Sequence, residues 1–359
     1  MKKTNLLRNA FYGIMSVAIA ATVTSCGDDA STPTAADKAE LNVSITECDG
    51  LATAATTVAY PQAAIDAFKA VLAAAKTVAD DADASQTAVD NVKVQLDNAK
   101  EIFLAAAFAP ISADGLICGF NFDEGSATTT ELTSAGRRLV ATLETGPAEI
   151  FGAATNKPSF IAGKVGKAIY FNNGSHLEIA TYSATDFQGS ALSIAVWVKP
   201  DSTRAGNYII SYNYWNSWKF QLQEQNKPFF TVSTSAGGVD ADNQSDFSAQ
   251  NDAWTHLVVS LNLTTHTLAF YVNGALSLEW DATGKDNLSG TAIASYATNL
   301  PIIIGACTTF AEAEEQWTWG DGWKTPVGWD NFVGAMDELK VYNIALTEGQ
   351  VSKLYADEQ

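Results

Sequence analysis

Six of the nine tryptophans crowd into two short segments that lack helix or strand periodicity. Residues 212–218 hold Tyr214, Trp215 and Trp218, and residues 317–329 hold Trp317, Trp319, Trp323 and Trp329. Gly320, Gly322 and Gly328 loosen the second segment, and Glu312, Glu314 and Glu315 precede it. Indole faces stack on the apolar C–H faces of sugar rings while polar neighbours bond to hydroxyls, so such loops suit glycan recognition. These seven aromatic residues are the candidate ligand-binding set. Folded over one another, the same rings would instead make a satellite core capping a larger one.

Other chemistry is poorly supplied. Glycosidic cleavage needs two carboxylates at a set spacing. The acidic runs at residues 312–315 and 321–330 lie in Gly- and Trp-containing sequence without strand alternation. His176, His256 and His266 lie in or beside strand-like runs, with no H-x-x-x-H pair and no G-x-S-x-G elbow, so a nucleophile triad is unsupported. No catalytic residue is assigned. Cys48, Cys118 and Cys307 make an odd set without C-x-x-C, which argues against zinc and against a disulfide framework. Cys118 and Cys307 fall in predicted strands and could pair if those strands adjoin; buried thiols are the alternative. The formal charge of −19 opposes a phosphate-backbone partner and anionic headgroups, which excludes nucleic acid.

Two kinds of element must position these residues. From 37 to 109 the chain is Ala-rich, with apolar stripes at helical spacing: Leu41, Ile45 and Cys48; then Ile65, Phe68, Leu72, Ala75 and Ala79; then Val89, Val92, Leu96, Ala99 and Phe103. Three helices in an antiparallel bundle are expected, with Pro61 in the first turn of the second and Asp83 or Ser85 capping the third. Pro110 ends the pattern. From 112 to 357 short alternating runs rich in Val, Ile, Phe, Tyr and Trp are divided by Gly, Asn and Asp clusters, which calls for an antiparallel sandwich. Asn273-Gly274 between two such runs marks a tight hairpin.

The first 25 residues read as a secretory signal, with a basic head (Lys2, Lys3, Arg8) and an apolar stretch too short for a permanent span. Val23-Thr24-Ser25-Cys26 resembles a lipobox, which implies lipidation of Cys26. Residues 26–36 then form a flexible tether. Its Gly27-Asp28-Asp29 is similar to the surface-export signal of Bacteroidetes lipoproteins, which implies an outer-membrane lipoprotein facing the exterior, held to the membrane through lipid alone. Losing the three basic residues of the signal takes the charge from −19 to −22.

Six segments in order resemble the laminin G-like jelly-roll domains of the concanavalin A-like lectin/glucanase superfamily. They are Phe120-Asn121-Phe122-Asp123-Glu124-Gly125, Gly163-Lys164-Val165-Gly166-Lys167-Ala168-Ile169-Tyr170-Phe171, Leu192-Ser193-Ile194-Ala195-Val196-Trp197-Val198-Lys199-Pro200, Trp254-Thr255-His256-Leu257-Val258, Phe270-Tyr271-Val272-Asn273-Gly274 and Gly334-Ala335-Met336-Asp337-Glu338-Leu339-Lys340-Val341-Tyr342. The resemblance implies a mainly β fold, a two-sheet antiparallel jelly-roll sandwich, preceded here by a small α-helical bundle similar to FIVAR-like surface modules. The bundle reads as a stalk.

Related glucanases carry an E-x-D-x-x-E or E-x-D-x-E signature on one strand, and none occurs here. Asp337 shares strand parity with Leu339 and Val341, so its carboxylate is expected inside, paired or on a metal. The related domains often hold one structural Ca2+ near this position, which makes Asp123, Glu124 and Asp337 the candidate ligands. The function expected is non-catalytic glycan binding in polysaccharide capture. A protein-binding adhesin or assembly module in a surface complex is one alternative, and a glycoside hydrolase or lyase with an unrecognised site is the other.

Overall fold

The computed structural model describes residues 35–57, 59–125, 139–294, 300–318 and 320–359. The signal segment, Cys26, nearly all of the tether and Trp319 lie outside the described residues.

Three helices, α1 (Ala39–Ala54), α2 (Gln62–Asp80) and α3 (Gln86–Ala105), pack their apolar stripes into one core. Phe103 stacks between Tyr60 and Phe68, at 4.1 and 4.5 Å between ring centroids. Ser85 is the cap that starts α3, accepting from the Ala88 N–H, and Pro61 sits one residue ahead of α2 rather than inside its first turn. No described helix is long and apolar enough to cross a membrane.

The remainder is a two-sheet sandwich. Its strands in chain order are β1 (Leu116–Phe120), β2 (Thr142–Glu144), β3 (Ser159–Ala162), β4 (Lys167–Phe171), β5 (His176–Ile179), β6 (Ala191–Pro200), β7 (Asn207–Tyr212) and β8 (Trp218–Gln223). They continue as β9 (Lys227–Thr234), β10 (Gly237–Asp242), β11 (Thr255–Asn262), β12 (Thr267–Val272), β13 (Ala275–Asp281), β14 (Ile302–Ile304) and β15 (Gly334–Tyr342). One sheet runs β13-β12-β11-β6-β15-β4-β3 with β1 also on β15, and the other runs β10-β9-β8-β7-β14-β5-β2. Every described pairing is antiparallel, and the crossovers between sheets are those of a jelly roll.

Alternation sorts each strand into a core side and an outer side. Leu192, Ile194, Val196 and Val198 of β6 face Phe220 and Leu222 of β8 and Ile302 and Ile304 of β14 across one continuous core. The Asn273-Gly274 turn has φ of +49° and +79°, the left-handed pair that a two-residue hairpin between β12 and β13 requires.

The outer side of the eight-stranded sheet is closed. The C-terminal helix (Glu348–Asp357) lays Val351 and Leu354 on Ala195, Val258, Ala269 and Tyr271. Ser193 and Ser260, small enough to admit the returning chain, bond to each other and to the Ile344 and Leu346 carbonyls. Beyond the helix, Glu358 accepts from the Trp197 indole N–H at 2.7 Å and meets Lys340 at 2.6 Å, while Lys340 also pairs with Glu338. The helix meets the bundle linker where the Gln350 amide donates to the Pro110 carbonyl. Phe108 lies so close to Gly349 that any side chain there would strike it.

Candidate functional site

The outer side of the seven-stranded sheet is closed only in its middle. Chain 305–333, which carries a short helix (Phe310–Gln316), folds over β7 and buries Trp317, Trp323 and Trp329 with Tyr208, Tyr214 and Cys307. The three indoles sit 5.2–5.9 Å apart, Trp317 edge-on to Trp323 and the others tilted. Arg204 ties this insert down, donating to the carbonyls of Pro326, Val327 and Trp329. Four of the candidate stacking residues, Tyr214, Trp317, Trp323 and Trp329, thus form the satellite core, and Tyr214 donates its hydroxyl to Glu312. Trp218 is a correction of another kind, because it is fully buried in the inter-sheet core against Phe187 and Tyr212. Trp319 lies outside the described residues. None of these five described rings offers an open face.

Trp215 is different. It is 50% exposed, on a 3-10 turn (Tyr214–Asn216) entered through Asn213 and Tyr214 at φ of +51° and +33°. Beneath it the Lys219 ammonium lies 3.8 Å from the ring centroid. Lys219 is fully buried, with Phe229 and Tyr208 rings 4.7 and 5.1 Å away, and it donates to the Gln221 side chain. Burial lowers its pKa to about 8, against the pull of Cys307, Asp240 and Asp330. A cation among three aromatic faces gains about 0.5–2 kcal/mol per contact, which offsets part of its desolvation. The arrangement pins one side of the Trp215 ring while half of the residue stays in solvent. That is the geometry of a stacking platform.

Past the insert, at the β5–β2 edge, a cleft of about 350 Å³ is lined by Glu144, Thr145, His176, Glu178, Phe310 and Trp329. Glu144 on β2 pairs in register with His176 on β5, and Glu178 follows two residues on along the same side. The His176 Nδ1 lies 2.9 Å from the Gly174 carbonyl, which can only accept, so Nδ1 carries the proton and Nε2 turns to Glu178 at 3.3 Å. Sequence reasoning missed this carboxylate pair because it looked along single strands, and these two come from neighbours joined only by folding. A groove of about 390 Å³ between α1 and α2 is lined by alanines, Leu72 and charged side chains including the Lys76–Asp49 ion pair, with no aromatic ring.

Asp337 is buried, but its parity is not that of Leu339. A bulge between Asp337 and Lys340, with Glu338 at φ +48°, shifts the alternation, so Met336, Leu339 and Val341 are core while Asp337 lies on the outer side opposite Trp197. There its Oδ2 accepts the Lys164 and Val165 N–H groups at 2.9 and 3.0 Å, and Oδ1 accepts that of Glu338 at 2.9 Å. Burial raises its pKa to about 7. Asp123 takes the Lys167 N–H at 2.9 Å from the far end of the same turn. A Cβ on Gly163 would fall 2.5 Å from Asp337 Oδ2 and one on Gly166 1.9 Å from Asp123 Oδ1, which is why both positions are glycine.

For calcium this set does not fit. Three N–H donors already point at the Asp337 carboxylate, Glu124 is exposed, and no group of three or more His, Cys, Asp or Glu suited to a metal occurs among the described residues. The two aspartates clamp a turn. No disulfide joins Cys118 to Cys307, since one lies in the inter-sheet core and the other in the satellite cluster.

The model of the concanavalin A-like lectin/glucanases superfamily matches residues 171–352, just over half of the chain, and the protein belongs to that superfamily. Similar solved structures include domain 4 of AbnA, a GH43 extracellular arabinanase from Geobacillus stearothermophilus in complex with arabinotriose. It is 18% identical at a TM-score of 0.44, over 68% of this chain and 100% of that one. The binding domain of Paraclostridial Mosquitocidal Protein 1 is 16% identical at a TM-score of 0.47, over 68% of this chain and 52% of that one. The binding domain of botulinum neurotoxin DC, solved with rat synaptotagmin II, is 13% identical at 0.43, over 69% and 52%. The chain therefore spans about half the length of the two toxin domains. No curated protein matches it.

Proposed function

We propose that the protein is a non-catalytic glycan-binding lipoprotein, anchored outside the cytoplasm through Cys26, with the helical bundle as its stalk and the outer side of the seven-stranded sheet as its binding face. The observation that carries this reading is the Trp215 ring, half open to solvent and held from below by a buried ammonium among aromatic rings. A platform of this kind receives a sugar face at little entropic cost, because the ring is already ordered. Membership of a lectin/glucanase superfamily supports the class of ligand, and the pinned ring supplies a place for it.

Isothermal titration of the chain with Cys26→Ser, lacking residues 1–25, against plant and host oligosaccharides tests it. One glycan class should bind, and Trp215→Ala should weaken it at least tenfold. Silence across the panel, with one stoichiometric protein captured instead, would move the assignment to an adhesin. Release of reducing sugar by the purified protein would overturn the non-catalytic half of the reading.

A further inference from the structure

The β5–β2 cleft lies on the same outer side of the sheet as Trp215, separated from it by the insert, and the platform makes no use of it. We infer that this cleft is a second glycan subsite, shaped for one uncharged glycosyl unit and closed to uronic, sulfated or sialylated units. The inference rests on the glycan-binding reading and adds a place and a specificity to it.

The cleft's volume, about 350 Å³, falls at the small end of ligand pockets. Two of its lining residues are carboxylates: Glu144 and Glu178 meet the hydroxyl-rich edge of a sugar, where each O–H has a proton to give. Phe310, only partly buried, supplies apolar wall for the C–H face. Trp329 is only 1% exposed, and its indole N–H has no acceptor among the described residues, so a small ring movement that admits a hydroxyl oxygen gives that N–H a partner. His176 is locked to the Gly174 carbonyl through Nδ1, and its ring stands beside Glu178, Nε2 to Oε1 3.3 Å, which narrows the room that carboxylate has to move.

Charge sets the exclusion. Neither lysine nor arginine is among the lining residues, and the chain carries −19 overall. A uronate or sialyl carboxylate seated here would face two carboxylates with no lysine or arginine among the described lining residues to answer it.

The experiment uses the full chain in detergent micelles, titrated with neutral arabino-, xylo-, manno- and gluco-oligosaccharides and with oligogalacturonate and sialyllactose. A neutral oligomer should bind, the anionic ones should bind at least tenfold more weakly, and Glu144→Gln with Glu178→Gln should raise the neutral Kd at least fivefold. Should the double variant not fold, Thr145→Phe, at an exposed position on the rim, plugs the cleft and should do the same. A smaller change in a folded variant, or anionic oligomers binding as well as neutral ones, overturns the inference. Binding lost in Trp215→Ala but kept in the cleft variants removes the subsite and leaves the platform. The reverse pattern removes the platform and leaves the subsite, and no binding at all ends both.

Discussion

The two sheets share one core, yet their outer sides are put to different uses. Over β6, β11, β12 and β15 of the eight-stranded sheet a helix, two serines and the Lys340–Glu338–Glu358 network close the outer side; Trp197 is covered and its N–H is taken. Over the seven-stranded sheet an insert covers the middle, β7 and β14, leaving Trp215 on one flank and the Glu144–His176–Glu178 cleft on the other. Both sides bury a lysine, but Lys340 meets carboxylates whereas Lys219 meets rings and an amide. A buried ion network serves closure, while a cation under a ring fixes that ring and leaves its exposed half for another molecule. The contrast separates residues that hold the fold from those that can hold a ligand.

The sharpest way to break the contrast is on the closed side. Lys340→Met strands two buried carboxylates and should cost about 3–5 kcal/mol in denaturant unfolding. A loss under 1 kcal/mol would mean the network contributes no more than a surface pair. Trp329→Ala should come close to this, about 3 kcal/mol, because it opens a cavity in the satellite core. If its unfolding midpoint matches wild type, the insert is not a core and its indoles return as ligand contacts.

Acid and alkali should act on opposite sides. Burial, with Lys340 nearby, lowers the His256 pKa to about 3, below its unfolded value near 6.5, so its contribution is present above about pH 6.5 and is lost as pH falls towards 3. His256→Asn should flatten the acid limb of a stability–pH curve. The Lys219 pKa is likewise lowered, to about 8, so its contribution is complete above about pH 10.4 and is lost as pH falls through 8. Lys219→Met should flatten only that alkaline limb, and equal effects of both variants on both limbs would refute the separation.

Trp215→Ala should cost about 0.5–2 kcal/mol in stability through the lost contact with Lys219, less than Trp329→Ala, while removing most glycan affinity. The smallest expected effect is that of chelator. With Asp337 already saturated by N–H donors, calcium and EDTA should give melting temperatures within about 1 °C, and a rise of several degrees with calcium would restore the metal.

Much of this was legible before folding. The stripes Ile65, Phe68, Leu72 and Val89, Val92, Leu96 became helix cores, and Asn273-Gly274 became the turn, because periodicity and turn chemistry act over a few residues. Short alternating runs divided by turn residues, and six segments in order, announced a sandwich. Aromatic enrichment marked two loops, yet among their described rings only Trp215 stayed exposed, since burial depends on what folds on top. Parity misplaced Asp337 because one residue at positive φ reverses every side chain after it.

The amino-acid sequence by itself determined the classes of element, the inner and outer sides of most strands, the glycines of the 163–167 turn and the acidic surface, all of which follow from local sterics, alternation and composition. Only the tertiary structure decided which indoles are packing and which stays exposed, that Lys219 lies beneath Trp215, and that Glu144 and Glu178 share a cleft. Those outcomes depend on strands distant in the chain becoming neighbours in a sheet, and on an insert choosing the middle of one face, where three tryptophans find each other's surfaces instead of water.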